Sequence, residues 1–88
     1  MQLVDAQAMA RKYPKTFEAP DEKELKEVKV GDSVKVCINN KERLWVEVTE
    51  IDGGDLKGRI DNHPIFEDSI DFGSAIQFKK ENIYAIFK

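Results

Sequence analysis

From Ser33 onward apolar residues fall at every second position, and this alternation leaves few folds open to the chain. Val34, Val36 and Ile38 alternate with Ser33, Lys35 and Cys37. Leu44, Val46 and Val48 alternate with Trp45, Glu47 and Thr49, and Leu56 and Ile60 flank Gly58 between Lys57 and Arg59. A period of two puts each apolar set on one face of a strand, so these segments predict three half-buried strands. Ile76 and Phe78 begin a fourth. Ile83 to Phe87 form a fifth that is apolar on both faces and needs cover on its second side.

Before Gly31 the period is different. Leu3, Ala6, Ala10 and Tyr13 are spaced by three, four and three residues, the stripe of an amphipathic helix over Gln2–Lys12. Pro14 ends it, because a proline pushes the preceding residue out of the helical region. This helix is the expected cover for the fifth strand. A second, short helix is predicted where Pro20 leads into Asp21, Glu22 and Glu24, whose carboxylates suit the positive end of a helix.

A chain of 88 residues has room for one core and one domain. The expected division is an N-terminal helix over 1–13, a connecting segment with the short helix over 14–30, and strands over 31–88. Five short strands in meander order, with a single turn at Lys80–Asn82 before the last, predict a mainly β (α+β) fold. It is either a small SH3-like five-stranded antiparallel barrel or an open curved sheet packed on the helix.

Turn lengths set the pairing, because a slip of one residue would carry an apolar row from core to water. A three-residue loop, Asp52-Gly53-Gly54, with glycine in the left-handed region places Val48 opposite Gly58 and Val46 opposite Ile60. A two-residue loop would set Val48 against Arg59. The same reasoning around Asn40 to Glu42 predicts Ile38 opposite Leu44, Val36 opposite Val46 and Val34 opposite Val48. The outward face then carries one row of alternating charge, Lys35, Glu47 and Arg59, and a second row of Cys37, Trp45 and Asp61. Such cross-strand pairs contribute about 0.2–1 kcal/mol each. The connection from Asn62 to Asp71 contains Ile65, Phe66, Ile70 and Phe72 and is expected to pack down on the sheet.

Composition narrows the function classes. With 41% hydrophobic and 35% charged residues the chain is too apolar for a disordered one. Fourteen basic against 17 acidic residues leave a formal charge of −3, which gives no global attraction to a phosphate backbone. One cysteine excludes an internal disulfide. No run approaches the roughly 18 apolar residues of a membrane span, and Met1 to Arg11 lacks the apolar stretch of a signal peptide. A cytoplasmic chain without membrane association, monomeric or homodimeric, is expected.

Catalytic chemistry is not indicated. His63 is the sole histidine, and Cys37 lacks the paired thiol spacing of a zinc site, so no metal or other cofactor is expected. Cys37 reads as a covered strand residue, and 17 carboxylates among 88 residues make any acid pair uninformative. The chain is expected not to be an enzyme.

Trp45 stands apart. The register turns its indole away from the aliphatic face, and leaving it in water forgoes about 2–3 kcal/mol of burial. The N-terminal helix, Tyr13 or Phe17, a long side chain lying across the ring, or a partner would cover it. Tryptophan and arginine are favoured interface anchors. An unknown protein partner is therefore expected on a face comprising Trp45, Arg43, Arg59, Lys57, Asp61, Asn62 and His63. The alternative is weak nucleic-acid binding, with Lys35, Lys57 and Arg59 around an aromatic platform for single strands. Glu47, Asp55 and Asp61, interleaved among them, disfavour it.

The run Arg43-Leu44-Trp45-Val46-Glu47-Val48, the turn Asp52-Gly53-Gly54 and the stretch Gly58-Arg59-Ile60-Asp61-Asn62-His63-Pro64 resemble the pattern of a family of small bacterial domains of unknown function, the YegJ-like type. Gly31-Asp32 and Phe72-Gly73 are similar to that pattern too, so the likeness covers most of residues 14 to 88. Ser74 departs from it, standing where the family more often has an acidic residue. The resemblance implies a bacterial, cytoplasmic, non-enzymatic domain, carries no catalytic residue over, and points to Trp45, Asn62 and Pro64 as matching positions.

Overall fold

Asp5 starts the first helix, α1 (Ala6–Lys12), by accepting a hydrogen bond from the Ala8 N–H at 2.9 Å, a cap that contributes about 1 kcal/mol. The helix is therefore shorter than its apolar stripe. The computed structural model, which describes residues 2–39, 41–64 and 70–87, shows residues 2–4 extended instead. Val4 N–H donates to the Cys37 carbonyl at 2.9 Å, Asn39 N–H donates to the Gln2 carbonyl at 2.7 Å, and Leu3 bridges Ile38. An extended segment here satisfies backbone groups that a strand would otherwise leave open, and this outweighs one more helical turn. The second helix, α2 (Glu22–Lys26), starts where expected, with a reciprocal capping box between Asp21 and Glu24.

The strands are β1 (Ser33–Ile38), β2 (Glu42–Asp52), β3 (Asp55–Ile60), β4 (Ala75–Lys79) and β5 (Ile83–Phe87). They form one antiparallel sheet in the order β4-β3-β2-β1-β5, with β4 and β5 at its edges. A 3-10 turn over Lys80–Asn82, at the predicted place, links the two edge strands. Val34, Val36, Ile38, Leu44, Val46, Val48, Leu56, Ile60, Ile76, Phe78 and Ile83 line one face, each 4% exposed or less. Leu25 of α2 and Val28 beyond it complete this core.

Meander order would set β5 beside β4, but it pairs with β1 on the opposite edge; three further features of the sheet differ from expectation. First, the β2–β3 turn has two residues, Gly53 and Gly54, with Gly53 left-handed at φ 63° and Asp52 paired to Asp55. Val48 nevertheless lies opposite Gly58 and Val46 opposite Ile60, as predicted, because Thr49 is an extra residue at a β-bulge. The bulge absorbs the one-residue shift that a short turn would otherwise impose. Second, the β1–β2 pairing is displaced by two residues: Ile38 faces Glu42, Val36 faces Leu44 and Val34 faces Val46. The loop begins at Asn39, left-handed at φ 52°, where asparagine tolerates the strain; Asn40 lies outside the described residues. Third, a bulge in the β1–β5 pairing makes Tyr84 the extra residue, so Val36 faces Ile83 while Lys35 faces Ala85 and Val34 faces Ile86. Ile83 and Ile86 thereby both reach the core, and Tyr84 and Phe87 are left on the other face. This is how a strand apolar on both sides is accommodated; α1 touches β5 without burying it, and Phe87 is 67% exposed.

In the connection after β3, Ile65 and Phe66 lie outside the described residues. Ile70 packs against the core, but Phe72 does not anchor the segment, being 55% exposed.

Gly58 marks the closest approach between strands. A Cβ there would meet the Val46 side chain and lie 2.5 Å from the Glu47 carbonyl oxygen, whereas at Gly54 it would meet nothing within 4 Å. Gly58→Ala is expected to lower stability by about 1–3 kcal/mol through overpacking, while Gly54→Ala stays within about 0.5 kcal/mol of the parent. Urea unfolding of the two variants measures the difference.

Candidate interaction face

The two-residue displacement of β1 decides what surrounds Trp45. Lys35, expected beside Glu47, is instead the direct partner of Trp45, and its Nζ lies 4.7 Å from the indole centroid. This is a cation–π contact, favourable by about 0.5–1 kcal/mol at a partly exposed site. The predicted row of alternating charge keeps only its Glu47–Arg59 half. The bulge in β5 brings Tyr84 to the same place, with Lys35 Nζ at 5.9 Å and the Arg43 guanidinium carbon at 4.9 Å from its ring centroid. Phe17, from the segment after α1, lies 5.4 Å from Tyr84 at a tilt of 35°. Phe87 meets Trp45 edge-on, with centroids 6.2 Å apart and planes at 81°.

These contacts form one run across the outward face: Phe17, Tyr84, Lys35, Trp45, Phe87, with Arg43 over Tyr84. Phe17, Lys35, Trp45 and Tyr84 are half-buried, and Arg43 is exposed. Trp45 is thus covered mainly by a long side chain lying across its ring, while Phe17 covers Tyr84 and Tyr13 is itself 44% exposed.

The remaining expected site residues separate into two groups. Arg59 pairs with Glu47 at 2.6 Å and Lys57 with Glu50 at 3.8 Å, both pairs well exposed and therefore worth little in stability. Glu47 also raises the Arg59 guanidinium pKa by accepting its hydrogen bond. Asp61, Asn62 and His63 sit at the end of β3. Asp61 N–H donates to the Trp45 carbonyl at 2.8 Å, and the Asn62 side-chain oxygen accepts from the Trp45 N–H. His63 stacks on Phe72, with centroids 5.1 Å apart and planes at 21°. Asn62 is consequently a strand-end clamp, and His63 belongs to a separate aromatic pair.

Among the described residues no carboxylate lies within ion-pairing distance of Lys35 or Arg43, in contrast to Lys57 and Arg59. Cys37 stands opposite Arg43 and is 8% exposed. Burial pushes its thiol pKa up, with Arg43 acting in the opposite direction. Burial likewise pushes the Tyr84 hydroxyl up against the pull of Arg43. Among the described residues no group of three His, Cys, Asp or Glu side chains could hold a metal ion, and no helix is long and apolar enough to cross a membrane.

Sequence reading reached Trp45, Arg43 and Lys35. It named Phe17 only as cover, had Phe87 on a strand that needs cover on its second side without joining it to Trp45, and missed Tyr84, whose place depends on the β5 bulge. The fold and this face define a small, mainly β domain with an outward aromatic and cationic surface. A family model described as an uncharacterized protein conserved in bacteria (DUF2314) matches residues 6–85, and the chain belongs to that family. No curated protein and no solved structure matches it.

Two measurements check this geometry. Iodide is expected to quench Trp45 fluorescence at least about twofold more efficiently than caesium at equal ionic strength, because Lys35 concentrates anions at the ring, and Lys35→Met should remove the excess. Cys37, buried and held protonated, should react with a disulfide reagent at pH 8 at least about tenfold more slowly in the native protein than in urea.

Proposed function

We propose that this chain is a non-catalytic protein-interaction module, built as a small SH3-like barrel, whose docking surface is the run from Phe17 to Phe87 with Arg43 beside it. The observation that carries the reading is Phe87, two-thirds exposed and seated edge-on against a half-buried tryptophan. An aromatic cluster left open on one side gains about 2–3 kcal/mol when a partner covers one such large side chain, and tryptophan and arginine dominate the energetics of many interfaces. The barrel reading is supported by the strand order and by the 3-10 link between the two edge strands, which keeps those edges close in the chain. A buried, protonated thiol fits a chain without nucleophilic chemistry, and a lone cysteine suits a reducing cytoplasm. Within its family we place the chain with the YegJ-like type, on the strength of Arg43–Val48 and Gly58–Pro64.

The test compares Trp45→Ala and Phe87→Ser with the parent as immobilised baits in a bacterial lysate, after circular dichroism has established that each variant is folded. A protein retained by the parent should fall at least about tenfold on both variants, equivalent to the loss of roughly 1.4 kcal/mol or more of binding. Equal retention by folded variants would remove the reading.

A further inference from the structure

We infer that the partner of this face is an acidic, extended protein segment, with two carboxylates separated by one residue that seat on Lys35 and Arg43. The inference rests on the interaction-module reading and adds the chemistry of the partner to it.

Charge complementarity is the starting point. The chain is acidic overall, at −3, and its outward cations on β3 are neutralised by Glu47 and Glu50. On β1 and β2 no carboxylate among the described residues pairs with Lys35 or Arg43, and what distinguishes these two on the outward face is the rings beneath them. Both are held on aromatic rings, Lys35 on Trp45 and both of them on Tyr84. Ring contact fixes a flexible side chain without using up its hydrogen-bond donors: three for the ammonium and five for the guanidinium. Two cations positioned in this way are pre-organised for an anion, so less rotamer freedom is lost on binding than by free surface lysines or arginines.

Spacing selects an extended ligand. Lys35 is the direct neighbour of Trp45 and Arg43 lies two residues before Trp45 on β2, a diagonal relation across the β1–β2 pair that spans about 7–8 Å. Alternate residues of an extended segment are about 6.5–7 Å apart and project to the same side. One carboxylate on Lys35 and one on Arg43 therefore match a Glu-x-Glu or Asp-x-Asp pattern, and an apolar residue beyond them would reach Phe87. A single-stranded nucleic acid fits less well. Its bases need open ring faces, whereas Lys35 sits over Trp45 and Arg43 over Tyr84.

The test uses the intrinsic fluorescence of Trp45 to follow titration with synthetic twelve-residue peptides. One carries Glu-x-Glu next to a phenylalanine, and its twin carries Gln-x-Gln. The acidic peptide is expected to bind at least about tenfold more tightly than the twin. It should weaken at least about fivefold with Lys35→Met or with Arg43→Met, and should lose affinity as sodium chloride rises from 50 to 300 mM. A double variant, Lys35→Glu with Arg43→Glu, should reverse the preference towards a Lys-x-Lys peptide. Equal binding of the acidic peptide and its amide twin would overturn the inference and leave the interaction-module reading intact. Absence of binding by either peptide at millimolar concentration would also overturn it, with the lysate comparison deciding the module reading separately. Tighter binding of a twelve-nucleotide oligothymidine, or self-association abolished by Trp45→Ala, would assign the face to nucleic acid or to a second copy of the chain.

Discussion

A chain of 88 residues can bury one apolar layer, and turning a valine or isoleucine out of that layer into water costs about 1.5–3 kcal/mol. That penalty accounts for the irregular points of the sheet. Gly53-Gly54 makes a short turn that would carry Val48 to the wrong partner, and the Thr49 bulge cancels the shift. β5 would present Ile83 inward and Ile86 outward, and the bulge at Tyr84 brings both to the core. Gly58 lets β2 and β3 approach where any Cβ would collide. Each irregularity disturbs one or two backbone pairings and preserves several fully buried side chains.

The same balance explains what could be read from the sequence. Strand positions, the turn at Lys80–Asn82 and the start of α2 were legible because each is a local signal: alternation, a turn between two alternating runs, and a proline followed by carboxylates at a helix start. On β1 to β4 the face of the core residues was legible too, since alternation determines parity, whereas on β5 the bulge at Tyr84 breaks it. Absolute register was not legible. A displacement of β1 by two residues leaves every aliphatic side chain on the same side, so the pattern is blind to it. The signal lay in the loop, where Asn39 can take a left-handed conformation and shorten the connection. Glu42 concealed it, because a charged residue reads as loop although here it begins a strand and is 8% exposed. The shortness of α1 was hidden similarly: Leu3 fits a helical stripe, yet Asp5 is the cap and Leu3 belongs to a β-bridge.

For the outward face, parity without register placed Lys35, Arg43, Trp45, Glu47 and Arg59 on the correct side, gave several wrong neighbours and left out Tyr84. Lys35 exchanged a carboxylate for an indole, and the expected cation patch divided into neutralised residues on β3 and ring-held residues on β1 and β2. Tyr84 and Phe87 entered the face through a bulge that no single residue announces. The outcome is a surface whose aromatic groups come from β2, β5 and the segment after α1, and whose position depends on the three strands β1, β2 and β5 being paired correctly.

Asn62 has a particular consequence for anyone mapping this surface by substitution. Its side chain accepts from the main chain of Trp45, and its neighbour Asp61 donates to the same residue, so the two ends of Trp45's peptide units are tied to the segment that follows β3. Removing the Asn62 side chain would release that tie and let the indole and the cation above it shift. A change in any property of the face in an Asn62→Ala variant would therefore report on the scaffold that holds Trp45, with no contact from Asn62 itself required.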